Sequence, residues 1–174
     1  MTVRPRLRKL MLVAHVGASV GWLGAIAASL VLAVLALTVT DPAVARAAYL
    51  VLEPLGWAAL VPFSLASLVT GVIQSLISTW GLVRHYWVLI KLVMNVFAIG
   101  VLLLYMQTLK VLAGLARSAT EAGAAVSPTP SPVLHAGAAI VLLTLALVLS
   151  VYKPRGLTPW GYQGRQASAR AATP

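Results

Sequence analysis

The apolar positions of this chain fall into four long runs: Leu10–Thr40, Leu55–Thr79, Tyr86–Leu112 and Val133–Tyr152. Crossing a bilayer takes roughly 20 mostly apolar residues at about 1.5 Å of rise each. Each run is long enough, so the pattern predicts an all-α, polytopic four-helix membrane bundle. The predicted helices span about 8–37, 53–79, 85–116 and 132–152. The breaks between them carry their own signals. Asp41-Pro42 ends the first run, and Ala43–Leu52 reads as a short interfacial helix with Arg46 and Tyr49. Pro54 suits the first turn of the second helix, and Pro62 predicts a kink inside it. Pro128, Pro130 and Pro132 exclude a regular helix from the Thr120–Pro132 loop. Pro154 and Gly156 stop the fourth helix. Residues 1–160 thus form one transmembrane domain, and 161–174 read as a disordered cytoplasmic tail.

Composition strengthens the membrane reading. Of 174 residues, 60% are hydrophobic and only 9% are charged, against about 25% charged in soluble domains. Mean hydropathy is +0.94. The chain has no cysteine, which removes disulfides, thiolate metal sites and cysteine nucleophiles.

The net charge of +10 would suggest nucleic acid in a soluble protein, but here the charge is sorted by membrane side. Arg4, Arg6, Arg8 and Lys9 precede the first run, Arg84 lies between the second and third, and Lys153, Arg155, Arg165 and Arg170 follow the fourth. The opposite ends hold Arg46, Lys110 and Arg117 together with all three acids, Asp41, Glu53 and Glu121. The positive-inside rule puts both termini in the cytoplasm. The expected location is a bacterial cytoplasmic (inner) membrane. The basic groups would attract anionic lipid at its cytoplasmic face, and nucleic acid is not an expected partner. The first run is far longer than the roughly 7–15 residues of a signal-peptide core, so it reads as a retained helix.

Helical geometry, at about 100° per residue, sorts the polar residues onto faces. In the first helix Ser19, Trp22, Ile26 and Ser29 lie within roughly 40° of His15, with Gly17, Gly21, Gly24 and Ala28 opposite. The Gly17-x-x-x-Gly21 spacing predicts close packing against a neighbouring helix, in the same chain or in a second copy of a homo-oligomer. The second helix aligns Phe63, Ser67, Thr70, Gln74 and Ser78. The third aligns Arg84, Trp87, Lys91, Asn95, Ala98, Leu102 and Tyr105. Polar stripes of this kind point into a membrane bundle.

Depth selects among these residues. His15, Gln74 and Lys91 all lie roughly 8–10 Å below the predicted inner boundary, on three helices. An ionisable residue at such depth is a functional candidate, because a charge there costs on the order of 3 kcal/mol even on insertion scales. The structural alternatives are a snorkelling Lys91 and a His15 bonded to a neighbouring carbonyl. His85 sits at the water boundary, off the Lys91 stripe. His135 begins the fourth helix at the outer face. In a core of ~30 Å, His15 and His135 differ in height by roughly 15 Å, too far to be the two axial ligands of one haem.

The residues that carry chemistry also resemble a known group. The first helix reads His15-x6-Trp22-x-Gly24, followed by Pro62, Thr70-Gly71 and then Trp87-Val-Leu-Ile-Lys91, opening a helix that reaches Leu104-Tyr105. This resembles the superfamily of small bacterial four-helix proteins that includes HemJ-type protoporphyrinogen oxidases and CopD-like copper-resistance domains, and most of all an uncharacterised branch of it. The resemblance covers about residues 8–110. It implies haem b with His15 as iron ligand, and Lys91 as the catalytic position. Trp22, Gln74 and Asn95 would complete the cofactor-binding set. The chain departs from the HemJ-type pattern at Tyr105-Met106, where a histidine is usual, and in the purely apolar Leu30–Leu37, where an arginine is usual. Those departures bear on porphyrinogen oxidation more than on haem binding.

The leading expectation is therefore a haem b-binding membrane protein in redox or electron transfer. Alternatives are a copper- or small-solute-handling protein and an accessory subunit with no site of its own. Copper(I) favours Cys and Met, yet Met11, Met94 and Met106 are scattered. The three acids lie outside the lipid or at its edge, which argues against carboxylate acid–base catalysis.

Overall fold

The computed structural model describes residues 4–78, 80–163 and 166. Its elements are α1 (Pro5–Thr38), α2 (Pro42–Leu55), a π-helical turn (Gly56–Leu60), α3 (Val61–Ile77), α4 (Tyr86–Glu121) and α5 (Ser131–Tyr152). Four helical stretches are long and apolar enough to cross a membrane: Pro5–Thr38, Pro42–Ile77, Tyr86–Glu121 and Ser131–Tyr152. That is the form of a multi-pass membrane protein. Many of the large apolar side chains face outward, including Val13, Val69, Leu104 and Val151. In the most apolar stretch of α5 only 6% of residues are buried. A soluble chain would invert this distribution, whereas lipid covers it without cost.

The main difference from expectation lies in the second crossing. Ala43–Leu52 is not a separate interfacial helix. It belongs to a helical stretch that continues from Pro42 to Ile77. Asp41 caps its start by accepting from the Ala43 N–H at 2.8 Å, with Pro42 in the first turn. Ala45, Ala48, Tyr49 and Leu52 are buried, so this segment packs along its length. Tyr49 is wholly buried beside Ala36, Met106 and Leu109, and its hydroxyl accepts from the Thr129 N–H at 3.1 Å. The irregularity expected near Pro62 is the π turn. Pro62 has no N–H to return to the preceding turn, and the Val61 N–H reaches back to Gly56 O instead. A Cβ at Gly56 would stand 2.6 Å from the end of the Met106 side chain, so Met106 fills the space that the glycine leaves.

The third helix runs five residues further than expected, to Glu121 rather than Ala116. Ala113 and Ala116 are completely buried, and Arg117 pairs with Glu53 at 2.8 Å, so α4 is held to its end. The glycine face of α1 differs more sharply. A Cβ at Gly17 or Gly24 would meet nothing within 4 Å, and only Gly21 is covered, by the Phe63 ring at 2.8 Å. The polar side of α1 is the side that packs on α3. Membrane helices gain little from apolar burial between them, so hydrogen bonds and close packing choose the contact face. Ser19 and Ser67 meet at 2.8 Å, and His15 reaches the same turn of α3.

The chain after α5 folds back on the α3–α4 connection. His85 and Leu157 form an antiparallel bridge. The Thr158 N–H donates to Arg84 O at 3.0 Å, and its hydroxyl donates to Val83 O at 2.5 Å. Thr158 is completely buried. The first residues expected in a disordered tail are therefore ordered. Residues 161–163 continue a helical turn and Gly161 is buried. The rest of that tail, apart from 166, lies outside the described residues.

Candidate functional site

A cavity of about 420 Å³ opens between α1, α3, α4 and α5 at the end that holds the α3–α4 connection. His15, Trp22, Gln74, Lys91 and Asn95, drawn from three helices, all line it. Its volume falls within the range of about 300–1,000 Å³ usual for small-molecule and cofactor sites. The walls are mostly apolar, from Leu12, Leu68, Val72, Leu92, Leu143 and others, with serine hydroxyls at intervals.

His15 is positioned from two sides. Its Nδ1 lies 3.1 Å from Ser67 O and 3.2 Å from Thr70 Oγ1. A carbonyl oxygen only accepts, so Nδ1 carries the proton. The Thr70 hydroxyl donates to Ala66 O at 2.6 Å and therefore also turns a lone pair toward the ring. In the neutral ring this tautomer leaves Nε2 as a free lone pair, and Nε2 has no hydrogen-bond partner among the described residues. Gly71 makes the arrangement possible. A Cβ there would lie 2.9 Å from His15 Cε1.

Lys91 stands across the cavity on α4. Its ammonium donates to Ser150 Oγ at 2.6 Å, and Ser150 passes its own proton to Ala146 O at 2.9 Å. No acid lines the cavity. Among the described residues the lysine is therefore held by one hydroxyl and no anion. Asn95 uses its amide on its own helix, donating to Lys91 O at 2.8 Å. Trp22 is buried with Ile26, Leu60 and Ile99 and forms the inner end of the cavity. Two buried polar atoms in the lining have no partner among the described residues: Gln74 Oε1, an acceptor, and Trp87 Nε1, a donor. Buried polar groups in folded proteins are normally paired, so both mark places where a ligand or water belongs.

Sequence reasoning did not assign Ser67, Thr70, Gly71, Trp87, Ser150 or Lys153 to the site. For Ser67 and Thr70 the α3 stripe was a usable signal, and Thr70-Gly71 stood out as a pair. Ser150 was one of the few polar residues of α5. Lys153 gave no signal beyond its charge.

The other histidines stand apart. His85 donates through Nδ1 to Trp80 O at 2.7 Å and meets the Trp80 ring edge-on at 5.0 Å. His135 bonds Ser131 O at 2.9 Å and stacks on Tyr105 with ring centroids 3.8 Å apart. That pair lines a second, more apolar cavity of about 270 Å³, and Trp22 forms part of the wall of both cavities. His135 does not line the His15 cavity.

Among the described residues no group of three or more His, Cys, Asp or Glu side chains could hold a metal ion. No methionine lines the His15 cavity. A bare metal ion therefore finds too few ligands there, whereas a metal that brings its own equatorial ligands needs only one or two from protein. The chain matches no family model, no curated protein and no solved structure.

Proposed function

We propose that this is a multi-pass membrane protein that binds haem b in the His15 cavity and serves a redox or electron-transfer role. The carrying observation is the 3.1 Å contact of His15 Nδ1 with Ser67 O: an N–H donated there leaves Nε2 as a ligand in a cavity that also holds Lys91. Metal-bound histidines almost always donate their other ring N–H to a carbonyl or carboxylate in this way. The resemblance of His15-x6-Trp22-x-Gly24 and Trp87–Lys91 to the HemJ-type group supports the same residues.

The lining fits the group. His15 would ligate the iron, Lys91 would offset an acidic substituent, and the apolar walls would hold the macrocycle. Gln74 Oε1 and Trp87 Nε1 would find partners in the ligand or in water bound beside it. The haem supplies one-electron chemistry. The protein's own part is to hold the imidazole in one tautomer, to exclude bulk water with Leu68, Leu92 and Leu143, and to place a cation beside the ligand.

The cavity opens at the end where Arg4, Arg6, Arg8, Lys9, Arg84 and Lys153 gather, which on the positive-inside rule is the cytoplasmic side, with both termini inside. The copper-handling alternative loses weight because the cavity lacks methionine and carboxylate ligands. Haem content decides between the haem reading and an accessory role. Detergent-purified protein should carry about one haem per chain in an alkaline-pyridine assay, and His15→Ala should carry none. Wild-type protein that stays haem-free after reconstitution would remove the proposal.

A further inference from the structure

The haem reading assigns His15 and Lys91 and leaves open what meets the second acidic group of the ligand. The charges in the cavity say more. Lys91 has three ammonium protons, and among the described residues the one acceptor it reaches is Ser150 Oγ. All three acids of the chain lie at or near the opposite end: Asp41 caps α2, Glu53 pairs with Arg117, and Glu121 is the last residue of α4. A cation at this depth with no anion beside it among the described residues favours an anionic ligand.

A second cation stands at the mouth. Lys153 is the only non-glycine residue with positive φ among the described residues, at φ 44° and ψ 62°, where it closes the C-terminus of α5. That position is ordinarily given to glycine or asparagine, because a Cβ makes the left-handed conformation costly. Strain retained at one residue is a pointer to function when the surroundings also point there. They do so here. Lys153 lines the same cavity as Lys91, and its Nζ sits 5.6 Å above the Trp80 ring. Trp80 is in turn fixed by His85 and by an edge contact with Trp87 at 5.5 Å.

We infer that the cavity takes an amphipathic ligand bearing two acidic groups, one met at depth by Lys91 and one at the mouth by Lys153. This rests on the haem reading, whose ligand already carries two carboxylates, and adds to it that Lys153 determines specificity by meeting the second carboxylate at the mouth. A lipid phosphate is the other source of the same charge, and the test separates them.

The test uses metal-free protoporphyrin IX and its dimethyl ester, titrated by fluorescence into full-length protein in neutral detergent micelles. The free acid should bind wild type about tenfold or more tighter than the diester, as expected for charge-assisted hydrogen bonds. Lys153→Gly and Lys153→Asn should reduce that preference several-fold. Lys153→Gly should at the same time raise the thermal midpoint, because glycine relieves the strained φ. Weaker binding by a more stable protein cannot come from unfolding. Equal affinity for acid and diester in wild type, or an unchanged preference in both variants, would overturn the inference. Displacement of the porphyrin by equimolar dioleoyl phosphatidic acid would overturn the dicarboxylate assignment in favour of lipid phosphate. The probe has no iron, so the acid preference should survive His15→Ala. A haem-binding protein without that preference would sink this inference alone, and the preference without haem ligation would sink the haem reading alone.

Discussion

Gly71→Ala is the most informative single change, because it adds one methyl group against one ring. The new Cβ would lie 2.9 Å from His15 Cε1, 3.3 Å from Nδ1 and 3.7 Å from Nε2. Carbon atoms sit comfortably about 3.5–4.0 Å apart, so the imidazole must retreat from α3 by roughly 0.6 Å or more. Nδ1 already stands 3.1 Å from Ser67 O, and N–H···O bonds weaken beyond ~3.2 Å. Ser67, Thr70 and Gly71 are all on α3, so a retreat from one lengthens the contacts to the others. The lost hydrogen bond is worth about 0.5–1.5 kcal/mol. Alanine gains up to ~1 kcal/mol over glycine inside a helix. The two nearly cancel in global stability, and the effect appears instead in the ring. Side-chain ¹⁵N NMR of histidine-labelled protein in micelles should show His15 in the Nδ1–H form in wild type. In Gly71→Ala it should show a mixture of tautomers, together with weakened haem binding. Gly17→Ala is the control, since a Cβ there meets nothing within 4 Å. An unchanged His15 signal in Gly71→Ala, or an Nε2–H wild type, would refute the reasoning.

Other positions carry smaller, separable expectations. Thr158→Val removes a hydroxyl that donates to Val83 O and accepts from the Gly161 N–H. It should cost about 1–3 kcal/mol of local stability, read as faster amide hydrogen exchange at 84–86 and 157–161 with little change in α1. Tyr49→Phe leaves the Thr129 N–H without its acceptor and should lower stability by about 1 kcal/mol, visible as a lower thermal midpoint in micelles. Glu53→Gln breaks an ion pair whose arginine side chain is 59% exposed. Exposed pairs contribute about 0–1 kcal/mol, so its midpoint should fall less than that of Tyr49→Phe.

The parts of the fold that could be read from the sequence are those set by period and by solvent. Run length against bilayer thickness gave the crossings, and helical angle gave the faces that bring Ser67 and Gln74 toward His15. Lys91 and Asn95 came to the same cavity because they share one face of α4. What escaped was tertiary. Nothing local says that Ala43–Leu52 joins the second crossing, because that depends on Tyr49 finding a buried niche beside Met106. The Gly17-x-x-x-Gly21 spacing suggested close packing on the glycine side, yet only Gly21 is covered there, and two serines and a histidine decided which side of α1 meets α3. Lys153 joined the cavity through a left-handed backbone turn that no pattern of residue types announces. The closing of Thr158 onto Val83 and Arg84 links residues 75 positions apart, beyond the reach of any periodicity.

The most direct test of the account is the absorption spectrum of purified protein, air-oxidised and dithionite-reduced, for wild type and His15→Ala, with and without added imidazole. The account predicts a Soret band in wild type, its loss in His15→Ala, and its recovery when imidazole fills the space left by the side chain. A Soret band of equal strength in His15→Ala would contradict His15 as the ligand. A wild type that stays colourless after haem addition would contradict the haem site itself.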